Sequence, residues 1–135
     1  MKIMLDEGAM VSRAHPYDAG LDLYTREDFS IPMKSSVSVD TGVHVEIPEG
    51  YVGLVKSKSG LMTRFAITTD GTIDSHYTGS IRVCLFNHDI LPYRFKAGDK
   101  IAQLVIVPCL LPELELVDKL EETDRGDGGF GSTGR

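Results

Sequence analysis

The sequence predicts an all-β domain, either a β-barrel or a jelly-roll-like sandwich, with one short helix. Apolar residues alternate with polar ones over short segments, as they do in half-buried strands. Clusters of glycine, proline, aspartate and serine separate these segments at close intervals. Short strands at this spacing are typical of antiparallel sandwiches and barrels. The 135 residues, 41% of them hydrophobic and 25% charged, fit one soluble globular domain.

The alternation places the strands in chain order. The first clear pair lies in SSVSVDTGVHVEIPEG, the next strand in GSIRVCLFNH and a later one in PELELVD. The nearly continuous apolar run KIAQLVIV predicts a strand covered on both faces. The helical candidate is SGLMTRFA, about two turns long. The alternating positions are Val37, Val39, Val43, Val45, Ile47, Ile81, Val83, Leu85, Leu114 and Leu116.

Charge and cysteine usage restrict the function classes. The net charge of −6 argues against general nucleic-acid binding, which needs a basic face, but permits a small anionic ligand. No segment has the length of a membrane span, and the N-terminal residues lack the apolar core of a signal peptide. Cys84 and Cys109 lie in apolar runs without zinc-site spacing, which predicts buried, reduced thiols and a cytoplasmic protein.

Five blocks carry residue types that folding alone does not require. They are DAGLDLYT (18–25), KSKSGLM (56–62), GTIDSHYTGSIRV (71–83), GDKIAQLVIVP (98–108) and RGDGGFGSTG (125–134). In order and rough spacing they resemble the five motifs of the trimeric dUTPase family, from about residue 12 to the C-terminal end. The resemblance implies a distorted jelly-roll-like β-barrel over residues 1–124. It also implies a flexible glycine-rich arm over 125–135 that closes over an active site.

The KSKSGLM block places Lys58, Ser59 and Gly60 at a predicted strand-to-helix junction. Free N–H groups, the helix dipole, a hydroxyl and an ammonium group there all suit a phosphate. The alternative is an N-cap serine beside solvated lysines. The resemblance implies substrate binding by these three residues. The family pattern usually has arginine where Lys58 stands, and lysine keeps the charge but lacks the bidentate fork.

The GTIDSHYTGSIRV block has the pattern of a hairpin with Asp74 and Tyr77 at its turn. A carboxylate within reach of a water molecule can act as general base, and the resemblance implies this role for Asp74. It also implies that Tyr77 packs against deoxyribose and that backbone groups of 71–73 (Gly71, Thr72 and Ile73) bind uracil. The alternative is an ordinary turn with a half-buried tyrosine. His76 stands where the family usually has an acidic residue.

Two further blocks contribute polar residues to segments with a strand pattern. Asp18 and Asp22 could hold water around a metal, or act as a turn residue and a structural salt bridge. The resemblance places Asp22 in a supporting role in the active-site wall. Gln103 is a lone polar residue in an apolar run and needs a partner, either backbone or, by resemblance, a substrate phosphate. Asp99 and Lys100 have the composition of a turn.

The C-terminal block combines glycines with residues that suit a nucleotide. Glycine permits close approach of the backbone to phosphates, although its density alone predicts a disordered tail. By resemblance, Arg125 contacts phosphate, Phe130 stacks on the base, and 131–133 (Gly131, Ser132 and Thr133) bind the terminal phosphate.

The resemblance implies hydrolysis of dUTP to dUMP and pyrophosphate, with water attacking the α-phosphorus. It further implies Mg²⁺ held through substrate phosphates and water, without a direct protein ligand, and a homotrimer with active sites shared at subunit interfaces. Two alternatives stay open. A dCTP deaminase on the same fold would use a glutamate, which TIDSHY lacks. A regulatory nucleotide-binding protein would bind without turnover.

Overall fold

A computed structural model of the protein describes residues 1–129. These residues form twelve strands and one short helix, which confirms the mostly β prediction. The elements are β1 (Lys2–Leu5), β2 (Val11–Ser12), β3 (Gly20–Tyr24), β4 (Phe29–Ile31), β5 (Ser36–Asp40), β6 (Val43–Glu46), β7 (Tyr51–Lys56), α1 (Ser59–Phe65), β8 (Ile67–Thr68), β9 (Asp70–Ile73), β10 (Arg82–Asn87), β11 (Tyr93–Phe95) and β12 (Lys100–Pro108).

The strands pair antiparallel in four sheets. The largest has the order β2-β3-β12-β7-β9, so that β12 lies at its centre and β9 at its edge. A second sheet has the order β5-β10-β8, and β1 pairs with β6 and β4 with β11. Except for β2 and β3, neighbouring strands in these sheets are not consecutive along the chain, and the connections between sheets therefore determine where the loops meet.

The core lies where the inward faces of these strands meet. In β6 and β10 buried and more exposed residues alternate as the sequence predicts. In the central strand β12, Ile101, Ala102 and Leu104 are buried, whereas Val105 to Val107 are half-buried. The fully buried apolar residues are Leu23, Ile31, Val43, Ile81, Val83, Ile101, Ala102 and Leu104.

Two local predictions were wrong. PELELVD forms no strand: residues 109–117 have no regular secondary structure, and Leu114 and Leu116 are 90% and 99% exposed. The 71–83 segment is not a hairpin, because β9 pairs with β7 while β10 pairs with β5 and β8. Residues 74–81 instead connect two sheets. The chain therefore exposes an apolar segment after β12 and places Asp74 and Tyr77 in an inter-sheet connection.

Two further expectations concern the cysteines and the membrane. Cys84 and Cys109 are free thiols, as predicted, but they are half-buried rather than buried. Among residues 1–129 there is no helix with the length and apolar character needed to span a membrane.

Candidate active site

A row of polar side chains crosses four strands of the largest sheet. Asp22 of β3 lies opposite Gln103 of β12, which lies opposite Lys56 of β7, and Lys56 lies opposite Asp70 of β9. Directly opposed residues in antiparallel strands project from the same face. The sheet therefore aligns two carboxylates, an amide and an ammonium group on one face, and Lys56 forms an ion pair with Asp70.

Asp22 is the charged centre of this row and is buried, with 6% of its surface exposed. Its Oδ1 pairs with the Nζ of Lys58, and its Oδ2 lies 2.7 Å from the Nζ of Lys100. Burial raises the pKa of Asp22, but the hydrogen bonds from Lys100 and Lys58 outweigh burial and hold that pKa below its usual value. The hydrogen bond to Asp22 raises the pKa of Lys100. This cluster of one anion and two cations carries a net positive charge.

Gln103 faces the same concavity as the Asp22 cluster. Its Nε2 donates to the carbonyl oxygen of Ser57 at 3.1 Å. Gly20, two positions before Asp22 on β3, has no side chain, and an added Cβ there would overlap Oε1 of Gln103. The glycine thus leaves room for the amide. The concavity has a volume of about 420 Å³, and Asp18, Gly20, Asp22, Lys58, Lys100 and Gln103 are among its lining residues.

The strand-to-helix junction predicted at Lys58 is present. β7 ends at Lys56, and α1 begins at Ser59 with Lys58 in the N-cap position. The prediction of an N-cap serine was wrong, because the N-cap residue is Lys58 and its side chain makes no capping hydrogen bond. Instead the Lys58 side chain turns to Asp22. Ser59 and Gly60 follow Lys58, which lines the concavity, and form the first turn of α1.

The strand β9 and the residues after it form a separate polar region. Gly71, Thr72 and Ile73 belong to β9. Asp74 follows directly and is exposed, and Tyr77 is 45% exposed. The backbone N–H of Tyr77 donates to the carbonyl oxygen of Asp74 at 3.3 Å, which closes a turn. Neither Asp74 nor Tyr77 lines the Asp22 concavity.

His76 lies in this turn, and its side chain contacts Glu49. It adopts the left-handed conformation, with φ of 68°, which is uncommon for a residue other than glycine. Its Nε2 lies 3.0 Å from Oε1 of Glu49. The histidine that departs from the family pattern thus contacts the β6–β7 loop.

The structure describes two of the remaining candidate site residues, Asp18 and Arg125, but not those after residue 129. Asp18 accepts a hydrogen bond from the His15 backbone N–H at 3.0 Å, as a turn-forming aspartate does. Arg125 is exposed, and its Nε donates to the carbonyl oxygen of Gly128 at 2.9 Å. The expected roles of Phe130 and of 131–133 lie outside the described residues.

Lys100 is the site residue that the sequence interpretation missed, because Asp99 and Lys100 were both assigned to a turn. Asp99 does form turn contacts, accepting from the backbone N–H of Lys96 at 2.8 Å. Lys100 instead reaches Asp22. A register irregularity between Lys100 and Ala102 changes the pairing with β3. Simple alternation along β12 therefore does not predict the face of the sheet on which the Lys100 side chain lies. The available signal was Asp22 itself, since a carboxylate in a predicted strand needs a cation.

Comparison with known proteins shows similarity to dUTPases along nearly the whole chain. The dUTPase family model matches residues 6–134. The deoxyuridine 5'-triphosphate nucleotidohydrolase of Nocardia farcinica is 45% identical, covering 96% of this chain and 82% of the relative. That of Cutibacterium acnes is 46% identical, covering 93% and 86%. The chain belongs to the dUTPase family. It is a dUTP-hydrolysing enzyme, and the named relatives favour this function over the two alternatives that the sequence left open.

Solved dUTPase structures agree with the fold of this family member. A variant of the Staphylococcus bacteriophage 80alpha dUTPase with dUpNHpp has a TM-score of 0.91 at 32% identity, covering 99% of this chain and 98% of the other. A variant of the dUTPase from phage phi11 of S. aureus, which coordinates a structural Mg(II) ion, has a TM-score of 0.81 at 33% identity, covering 90% and 98%. These neighbours have the jelly-roll-like fold that the sequence predicts.

Proposed function

We propose that the enzyme hydrolyses dUTP by attack of water on the α-phosphorus, with Asp74 as general base. One observation carries this proposal: Asp74 directly follows the edge strand of the largest sheet. The outward N–H and C=O groups of an edge strand are available to a ligand. Gly71 to Ile73 would therefore bind the uracil edge through backbone groups, next to the carboxylate that activates water.

In the proposed reaction, one water molecule displaces pyrophosphate from the α-phosphorus in a single step. The water oxygen forms a bond to the α-phosphorus, and the bond from that phosphorus to the α,β-bridging oxygen breaks. The attacking water loses one proton to the Asp74 carboxylate and becomes part of dUMP, and pyrophosphate leaves. Asp74 is exposed, so that water reaches it freely. Tyr77 would pack against the deoxyribose and exclude a 2′-hydroxyl.

The Asp22 concavity would bind the phosphates. Lys58 and Gln103 in its lining supply an ammonium group and an amide. Ser59 and Gly60, which follow Lys58 in the first turn of α1, would add a hydroxyl and helix N–H groups. A phosphate at this position competes with Asp22 for Lys58. Lys100 remains on the other oxygen of Asp22, and it keeps the buried carboxylate compensated when Lys58 turns to the substrate.

Mg²⁺ would enter with the triphosphate, held through phosphate oxygens and water. Both oxygens of Asp22 are already paired with lysines, so this buried carboxylate would not bind the metal directly. Among residues 1–129 no three histidine, cysteine, aspartate or glutamate side chains converge as metal ligands would. This donor set fits a metal that the substrate carries. When bound, Mg²⁺ neutralises charge on the phosphates.

We further propose that complete sites form between subunits of a homotrimer. Ile73 lies opposite Gly53, and Lys56 lies three positions further along β7, about 10 Å away. From there the chain continues to Lys58, away from Asp74. The proposed base-binding and phosphate-binding regions of one chain thus lie at opposite ends of β7. A complete site would combine the base-binding region of one subunit with the phosphate-binding region of a neighbour.

The exposed segment after β12 supports the same assembly. Five leucines there are at least 76% exposed: Leu110, Leu111, Leu114, Leu116 and Leu120. Isolated exposed leucines are ordinary, but a run of this kind marks a surface that another chain covers. This segment also leads to the arm of residues 125–135. The arm would close over the site of a neighbouring subunit, with Arg125 and 131–133 (Gly131, Ser132 and Thr133) on phosphates and Phe130 on uracil.

Isotope labelling tests the chemistry. In water enriched in ¹⁸O, we expect the label in the phosphate of dUMP. Label in pyrophosphate instead would contradict attack on the α-phosphorus.

Asp74→Asn should lower turnover at least ~100-fold, while affinity for a non-hydrolysable analogue changes little.

Asp70→Asn is the matched control for the general base. It makes the same chemical change at the first residue of β9, four positions before Asp74, where the carboxylate pairs with Lys56 and takes no part in the proposed chemistry. Turnover should stay near that of the unmodified enzyme. If Asp70→Asn lost activity as severely as Asp74→Asn, the assignment of the base to Asp74 would be wrong.

A further inference from the structure

The position of the Tyr77 ring depends on the backbone just after it. The hydroxyl of Tyr77 donates to the carbonyl oxygen of Ser80 at 3.0 Å. The ring lies against Gly79, where an added Cβ would come within 2.5 Å of the hydroxyl oxygen. Any movement of residues 78–80 would therefore move the ring.

Two side chains of the β5–β6 region hold this backbone on both sides of Gly79. His44 Nδ1 lies 2.8 Å from the carbonyl oxygen of Thr78. A carbonyl only accepts, so Nδ1 carries the proton and donates. On the other side, the Ser80 hydroxyl donates to Oδ1 of Asp40. The region after Tyr77 is thus held at Thr78 by His44 of β6 and at Ser80 by Asp40 of β5, strands that belong to two different sheets.

These two residues are fixed in their own surroundings. The His44 side chain is 17% exposed, and its Nε2 lies 3.2 Å from Oδ1 of Asp6. Asp40 accepts from the Gly42 N–H at 2.9 Å and lies 3.6 Å from a guanidinium nitrogen of Arg26. Hydrogen bonds from Ser80 and Gly42 hold the pKa of Asp40 below its usual value. Both anchors are therefore preorganised rather than mobile surface groups.

We propose that His44 and Asp40 are positioning residues that hold the Tyr77 ring where it excludes a ribose 2′-hydroxyl. The inference rests on the proposed role of Tyr77 and extends it to two residues outside the five motif blocks. Without the His44 bond, the Thr78 carbonyl is released and the ring can retreat with its backbone. Uracil binding through β9 is unaffected, so the loss should fall on sugar discrimination rather than on turnover of dUTP.

Three substitutions of His44 separate the contributions of its two ring nitrogens to nucleotide selectivity. The side-chain amide nitrogen of asparagine takes the place of Nδ1 and keeps the bond to Thr78. That of glutamine takes the place of Nε2 and keeps only the contact with Asp6. Alanine removes both. We expect His44→Asn to keep the ratio of kcat/KM for dUTP over UTP within about twofold, and His44→Gln and His44→Ala to lower it roughly tenfold, as for the loss of one hydrogen bond.

Ser80→Ala gives a second, independent variant in case the His44 variants fold poorly. It removes the hydroxyl donor to Asp40 and leaves the contacts of Asp40 with Arg26 and Arg82 in place. The dUTP-to-UTP ratio should fall in the same direction. The inference is overturned if the variants lower kcat/KM for both nucleotides equally, since that is the signature of a merely structural role.

Tyr77→Ala distinguishes failure of this inference from failure of the proposed function. If Tyr77→Ala lowers the dUTP-to-UTP ratio and His44→Ala does not, the anchoring role is wrong and the role of Tyr77 stands. If Tyr77→Ala leaves the ratio unchanged, the sugar-excluding role is wrong, and the anchoring inference falls with it.

Discussion

Substitution of Asp22 by asparagine tests the charged cluster at the centre of the sheet. Asparagine has nearly the same shape as aspartate but carries no charge. It would leave Lys58 and Lys100 without their shared anion, next to a buried amide. We expect the substitution to lower the free energy of unfolding and to loosen the residues at the start of α1 that are proposed to bind phosphate.

The magnitude follows from burial and geometry. Asp22 is buried, and the Lys58 side chain is 26% exposed, so their charge-assisted hydrogen bond contributes about 1.5–3 kcal/mol. The Lys100 side chain is 40% exposed, and water screens its bond too strongly to add a separate figure. We therefore expect Asp22→Asn to lower the free energy of unfolding by about 2 kcal/mol.

Urea denaturation at pH 7 measures this difference. All proteins must be compared at one concentration, because association stabilises the folded state. Asp18→Asn is the matched control, since Asp18 lines the same concavity but its side chain is 44% exposed and, within residues 1–129, its carboxylate pairs with His15. It should leave the denaturation midpoint nearly unchanged.

The pH dependence has a defined sign. The pKa of Asp22 in the folded protein lies below its ordinary value of 3.8. Its contribution is therefore complete above that value and disappears as the pH falls through the lower folded pKa. The difference between the unmodified protein and Asp22→Asn should shrink below about pH 4. An equal midpoint at pH 7, or a difference that persists undiminished at acid pH, would refute the electrostatic explanation.

Three further predictions address the concavity, the arm and the assembly. Gly20→Ala should push the Gln103 amide out of the concavity and raise KM for dUTP; an unchanged KM in steady-state kinetics would contradict its phosphate contact. Removal of residues 125–135 should reduce kcat/KM severely while circular dichroism and sedimentation stay unchanged, and loss of the oligomer would argue against their proposed role in closing over the site. Replacing Leu114 and Leu116 together by serine should weaken self-association in sedimentation velocity, whereas an unaltered oligomer would show that these leucines are not covered by another subunit.

The parts of the fold that the sequence predicts are those that depend on local patterns. In β6, Val43 and Val45 are buried and the residues between and after them are not, as period-2 alternation requires. PELELVD has the same alternation but forms no strand, because alternation identifies an apolar face without specifying what covers it. Nothing within residues 1–129 covers Leu114 or Leu116.

The parts that could not be predicted depend on contacts between distant residues. β9 and β10 are neighbours in sequence, and a hairpin was the local expectation, yet β9 pairs with Tyr51–Lys56 across the intervening helix. For the site, residue types identified Asp22 and Gln103, which lie opposite each other. They did not identify Lys100 as the partner of Asp22, or His44 as the donor to Thr78, because both contacts depend on the three-dimensional arrangement of separate strands.

The most direct test of the proposed site is nucleotide selectivity with Mg²⁺ present. Purified protein is incubated with dUTP, UTP, dTTP and dCTP in parallel, and pyrophosphate release is followed for each. Edge-strand binding of uracil together with sugar exclusion by Tyr77 predicts rapid release from dUTP and little from the other three. Comparable release from UTP would contradict the role of Tyr77, and comparable release from dTTP or dCTP would contradict the reading of uracil by Gly71 to Ile73.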